Sequence, residues 1–147
     1  KDYIWVLEQL KSLIIELDLQ ENVFIDPKYM EDSQTLKSLS KMDFLVFPYQ
    51  NTGESSSASV RHGIASNQNV LVTPSPIFDD VSPLVSYLPG FSHLEIAEGL
   101  EKWLSKFDDA QVKVDYQDPQ REKILSERRF SRLGNRLISM IKSLEFN

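Results

Sequence analysis

Residues 44–76 read FLVFPYQNTGESSSASVRHGIASNQNVLVTPSP, and this stretch decides the fold. Phe44–Phe47 is a short unbroken apolar run closed by Asp43 and Pro48, and Val70–Val72 is a second, closed by Asn69 and Pro74. Runs this short, apolar on both faces, suit parallel strands covered on both sides. The polar segment between them opens with the loop Tyr49–Gly53, continues through Glu54 and three serines, and then turns small and helix-compatible over Ser55–Ser66. The unit reads strand, loop, helix, strand. A loop in that place lies at the carboxyl end of a strand, where open α/β sheets hold their ligands.

Outside this unit the periodicity alternates. Tyr3, Val6, Leu7, Leu10, Leu13, Ile14 and Leu17 recur at three and four residues and predict a helix over 2–17. After a turn at Leu19–Asn22, Val23–Ile25 is expected to be a short strand ended by Asp26-Pro27. Asp32 or Ser33 is placed to cap a second helix with Leu36 and Leu39 facing inward. Downstream, Ile77–Val85 reads equally as a turn or a helix start, and Tyr87–Leu88 as a last short strand. Ile96, Leu100, Trp103, Leu104 and Phe107 mark a helix, with His93 to Glu95 near its start. Asp108–Asp118 is a polar connection, Arg121–Ser126 is helical, and Phe130 to Leu144 carries a final amphipathic stripe. Helices alternating with short apolar strands predict an α/β protein: a Rossmann-like parallel sheet with right-handed crossovers, flanked by helices.

Length and composition set bounds. The 147 residues fit one domain with a real core. The net charge of −6 argues against broad nucleic-acid or anionic-membrane binding, both of which need a basic face. The absence of cysteine removes disulfides and thiolate metal sites and suits the cytoplasm. No apolar run approaches the roughly 20 residues of a membrane span. The chain opens on a helical pattern with no strand before it and without Met, as expected of a piece of a longer protein.

The candidate chemistry is concentrated at the central loop. A lone carboxylate at a helix start usually caps free amides. Here Gly53 frees the backbone beside Glu54, and Ser55, Ser56 and Ser57 keep amides accessible and add hydroxyls. A helix start lined by small side chains receives phosphate, and a neighbouring carboxylate accepts sugar hydroxyls. Elsewhere the commoner roles prevail. Asp79 and Asp80 read as a turn or cap, and His93 as a surface residue. The basic set Arg121, Lys123, Arg128, Arg129, Arg132 and Arg136 reads as a solvated helical face, with contact to a domain outside this sequence or to a membrane surface as its other readings. No His/Asp/Glu spacing marks a metal site, and neither a nucleophile elbow nor a glycine-rich phosphate fingerprint is present.

The order of these features resembles the donor-binding half of retaining glycosyltransferases of group 1, also called family 4. Glu54 falls on the first Glu of their signature and, after seven residues, His62 falls on the second. Gly63-Ile64-Ala65-Ser66 matches the small-residue helix, and Asn69 takes the usual Pro position. Leu17-Asp18-Leu19 with Asn22-Val23-Phe24-Ile25, Met42-Asp43, and Arg129-Phe130-Ser131 are similar to flanking segments of the family in the same order. The resemblance implies the C-terminal half of a GT-B fold lacking its first strand or strands. It implies transfer of a sugar from a UDP-, GDP- or dTDP-sugar with retention and without a bound metal or other cofactor. In this reading Glu54 is the catalytic residue that holds the donor sugar, and Gly53, Ser55, Ser56, Ser57, Arg61 and His62 line the donor site. His62 departs from the pattern, since a neutral imidazole accepts one bond where a carboxylate accepts two ribose hydroxyls. The acceptor domain and the upstream Arg and Lys of the family are not in this sequence, so the piece alone is expected to be inactive. The resemblance also implies a cytoplasmic protein with peripheral membrane contact through its parent. A non-catalytic scaffold of the same fold, and a receiver- or epimerase-type nucleotide domain, are the alternatives.

Overall fold

The computed structural model describes residues 2–50, 53, 56–108 and 119–144. The chain divides into two compact units, residues 1–30 and 31–147. In the first, α1 spans Asp2–Glu16, in line with its three- and four-residue apolar spacing. It ends in a Schellman turn: Asp18 takes a left-handed φ of 54°, Asp18 N–H donates to Ile15 O, and Leu19 N–H donates to Ile14 O. Trp5 is 61 % exposed on this helix. The strand expected at Val23–Ile25 does not form. Asn22 and Val23 both donate to Leu19 O, and the Asp26 side chain accepts from Lys28 N–H at 3.2 Å. Local turn bonds occupy both sides of a run only three residues long, too short to hold a ladder against them.

The second unit carries the sheet. Its elements are α2 (Asp32–Leu39), β1 (Phe44–Phe47), α3 (Ala58–Ala65), β2 (Asn69–Val72), a 3₁₀ segment (Pro76–Leu84), β3 (Ser86–Tyr87), α4 (His93–Asp108), α5 (Pro119–Glu127) and α6 (Phe130–Leu144). Among the described residues the three strands lie in the order β1-β2-β3, all parallel. Phe44 pairs with Asn69 and Phe47 with Val72, so the two apolar runs align end to end. This is an α/β protein with a small parallel sheet flanked by helices.

The core explains the layering. Val70 and Val72 of β2, Leu45 of β1, Val60 and Ile64 of α3, and Phe78 and Val81 of the 3₁₀ segment form one buried cluster. Both crossovers therefore cover the same face of the sheet. Leu71, between the two valines and so on the opposite face, is fully buried as well. Chain segment 77–85, ambiguous in sequence, resolves as a 3₁₀ segment with Pro76 at its start and Pro83 inside it. Phe78, Val81 and Leu84 recur every third residue, the period at which side chains eclipse in this conformation.

Helix starts differ from expectation in two places. Neither Asp32 nor Ser33 caps α2. Glu31 holds the cap position without a side-chain bond, and Asp32 instead adds negative charge to the first turn. The central helix begins at Ala58, not Ser55, because Ser57 is extended (φ −111°, ψ 122°) and its hydroxyl accepts from Val60 N–H. α4 opens on a capping box of Ser92 and Glu95: Ser92 N–H donates to Glu95 Oε2 at 3.0 Å and Glu95 N–H to Ser92 Oγ at 3.3 Å. These bonds from the Ser92 hydroxyl and amide hold the Glu95 carboxyl below its ordinary range. The S-x-x-E spacing announces this box in the sequence.

Gly63 sets how closely α3 lies on β1. A Cβ there would stand 3.0 Å from Phe47 Cε2 and 3.2 Å from Leu45 Cδ1. Gly63→Val is expected to destabilise the protein by about 1–3 kcal/mol, since the added methyls overpack this contact. Urea unfolding monitored by circular dichroism checks it, and an unchanged midpoint would mean that the helix is free to shift.

Candidate functional site

The loop after β1 is anchored at both ends by groups the sequence makes polar or aromatic. Tyr49 leaves the strand half-buried, its ring 5.4 Å from Phe78 and 6.2 Å from Phe47. Its carbonyl accepts from Thr73 Oγ1 at 2.5 Å, and Thr73, at the end of β2, is fully buried. Thr73 N–H also donates to Phe47 O, which extends the β1–β2 ladder by one bond. Ser57 Oγ lies 3.3 Å from the Tyr49 hydroxyl while capping α3. Gln50 reaches across to donate to Phe91 O at 3.2 Å. The start of the loop and the first turn of α3 are thus held side by side at the carboxyl end of the sheet. Ser75, one residue beyond Pro74, is 2 % exposed, and its Oγ has no hydrogen-bond partner among the described residues.

The expected donor-site residues fall in different settings. Glu54 and Ser55 lie outside the described residues. Gly53 and Ser56 are exposed, and a Cβ at Gly53 would meet nothing within 4 Å. Ser57 is buried with its hydroxyl committed to the cap, so what it presents is the position of the helix start. Arg61, one turn into α3, donates to Ser57 O at 2.6 Å and forms an ion pair with Asp80. His62 turns instead toward α2, with Nε2 3.3 Å from Asp32 Oδ1.

Sequence reading missed the partner of Arg61. Asp80 receives a second guanidinium: Arg128 Nη1 stands 3.5 Å from its carboxylate, and Arg128 also donates to its main-chain carbonyl. Two arginines thus converge on one carboxylate beside the first turns of α3, with Asp79 next to it in the chain. Side chains of Arg61, Asp80 and Arg128 are each about 40 % exposed, so each pair adds little to stability and mainly fixes geometry. Arg121, counted in the sequence with a solvated basic face, is in fact buried. Its guanidinium donates to Ile64 O at 3.1 Å, near the end of α3, where a cation complements the exposed carbonyls. Arg121 therefore ties α5 to α3, and Arg128 ties the segment after α5 to the 3₁₀ segment.

No family model matches the sequence, and no curated protein and no solved structure matches it either.

Asp79 and Asp80 also act on Tyr87 of β3. Burial, and then the charges of Asp79 and Asp80, push the Tyr87 phenol above its ordinary value near 10. A phenol whose folded value is raised stabilises the fold fully below the unfolded value and progressively less as pH climbs past about 10, because the unfolded chain then binds fewer protons. Stability is expected to fall more steeply above that pH in the native protein than in Tyr87→Phe. Denaturant midpoints measured between neutral and strongly alkaline pH check this, and parallel curves would contradict it.

Proposed function

We propose that this chain is the nucleotide-sugar-binding part of a retaining glycosyltransferase of group 1 type with GT-B architecture. The observation that carries the reading is the start of α3, capped by Ser57 and held beside the polar loop at the carboxyl end of β1. Helix amides there attract the diphosphate of the donor. Arg61, fixed by Asp80 beside the first turn, adds positive charge to the same region. Glu54, four residues before the first residue of α3, accepts hydrogen bonds from the donor sugar and orients it. Ser55 and Ser56 offer amides and hydroxyls, and His62 stands at the ribose position of the motif. The leaving diphosphate is stabilised by preorganised donors, with no proton transfer assigned to Arg61 or His62.

Strand order bears on the same reading. Ligands in open α/β folds sit where strand order reverses. Order β1-β2-β3 contains no reversal, and the outer edge of β1 is apolar and unpaired among the described residues. On this proposal a further parallel strand pairs with that edge. Its crossover runs over the other face and creates the reversal next to Tyr49–Ser57. An apolar edge left open would otherwise invite aggregation.

Glu54→Gln separates the sugar contact from the diphosphate contact. In calorimetric titrations, the variant is expected to bind a nucleoside diphosphate as the native protein does. It is expected to bind the matching nucleotide sugar roughly 10–100-fold more weakly, the loss of one or more charged hydrogen bonds. Equal affinity of native and variant protein for every UDP-, GDP- and dTDP-sugar would remove Glu54 from the site. Failure of the native protein to bind any of them would favour a scaffold of the same fold.

A further inference from the structure

α6 is the most exposed element of the second unit. None of its residues is buried, and Phe130 and Leu144 at its two ends are 92 % and 77 % exposed. At 3.6 residues per turn, every apolar side chain from Phe130 to Leu144 falls within one arc of about 160°. Gly134 lies inside that arc and leaves open space where a Cβ would stand. The opposite arc holds only serines, Asn135 and three cations, Arg132, Arg136 and Lys142, and no carboxylate. Arg129 adds a fourth cation immediately before the helix. The net charge of −6 weighs against membrane binding by the chain as a whole, but α6 itself carries three cations and no acid.

We propose that α6 is an interfacial helix that lies on an anionic lipid surface, with Leu133, Leu137, Met140 and Ile141 among the acyl chains and the cations at the headgroups. Charge complementarity selects this occupant. A helix with a broad apolar arc and a purely cationic polar face has the makeup of a monotopic membrane helix. A second copy of α6 is a poorer fit: paired helices use a narrower seam and opposite charges beside it, and α6 has no acidic residue to offer. At 15 residues α6 lies along the surface rather than through it, and no described helix is long and apolar enough to cross a membrane. The inference does not depend on the nucleotide-sugar reading, because no residue of α6 belongs to that site.

The test is co-sedimentation of the full chain with vesicles of phosphatidylcholine alone and of phosphatidylcholine mixed with phosphatidylglycerol. Binding is expected to be at least about tenfold stronger to the mixed vesicles and to weaken with added salt, as cations near an anionic surface require. Leu137→Glu with Ile141→Glu should abolish it, and Arg132→Glu with Arg136→Glu should remove the preference for the anionic lipid. These side chains are exposed, so circular dichroism and urea midpoints of both variants should match the native protein. Equal binding to both vesicles, binding to neither, or a concentration-dependent dimer split by the apolar variant without vesicle binding would each overturn the proposal.

Discussion

The parallel pairing of Phe44–Phe47 with Asn69–Val72 is the constraint from which the rest follows. Two strands that run the same way cannot be joined by a tight turn. The chain must leave the carboxyl end of β1, cross the sheet face, and return to the amino end of β2. α3 is that crossing, and its own start is forced to the carboxyl end. The polar loop, the helix amides and Thr73 are brought together there by topology alone. Gly63 then allows the crossing helix to lie close on Phe47 and Leu45, and Val60 and Ile64 bury against the strands.

Polar side chains make that end of the sheet rigid. Thr73 closes on the Tyr49 carbonyl, Tyr49 packs on Phe78, and Ser57 serves both the helix cap and the tyrosine hydroxyl. Buried hydrogen bonds of this kind are costly to break, because the groups left behind are far from water. The charged layer outside them is different. Arg61, Asp80 and Arg128 are partly solvated. Their pairing directs side chains more than it stabilises the fold. The result is a fixed start for α3 beside two arginines that share one carboxylate.

The sheet and the crossover were legible because short apolar runs and their turn-forming neighbours are local signals. Phe44–Phe47 and β2 lie where that pattern puts them, and α6 spans the stripe from Phe130 to Leu144. Val23–Ile25 misled because apolar character alone does not supply a pairing partner, and the turn bonds of Leu19 and Asp26 were closer at hand. The start of α3 was misplaced by three residues, since three serines in a row all qualify as caps and only tertiary contact with Tyr49 distinguishes Ser57. Arg121 was read as solvated because its neighbours are charged, while its burial depends on Ile64, 57 residues away in the chain. Asp80 was visible only as a turn residue, because its two arginines come from α3 and from the segment before α6. Of the site itself, the place was readable and the ion pairs were not.

One measurement bears most directly on the claim that the ligand surface is the loop after β1 together with the first turn of α3. Backbone amide resonances of the protein are followed by NMR during titration with UDP, GDP and dTDP. The account predicts that one of these nucleotides produces its largest, saturable shifts between Gly53 and Arg61. Shifts confined to another part of the chain, or none with any of the three, would contradict it.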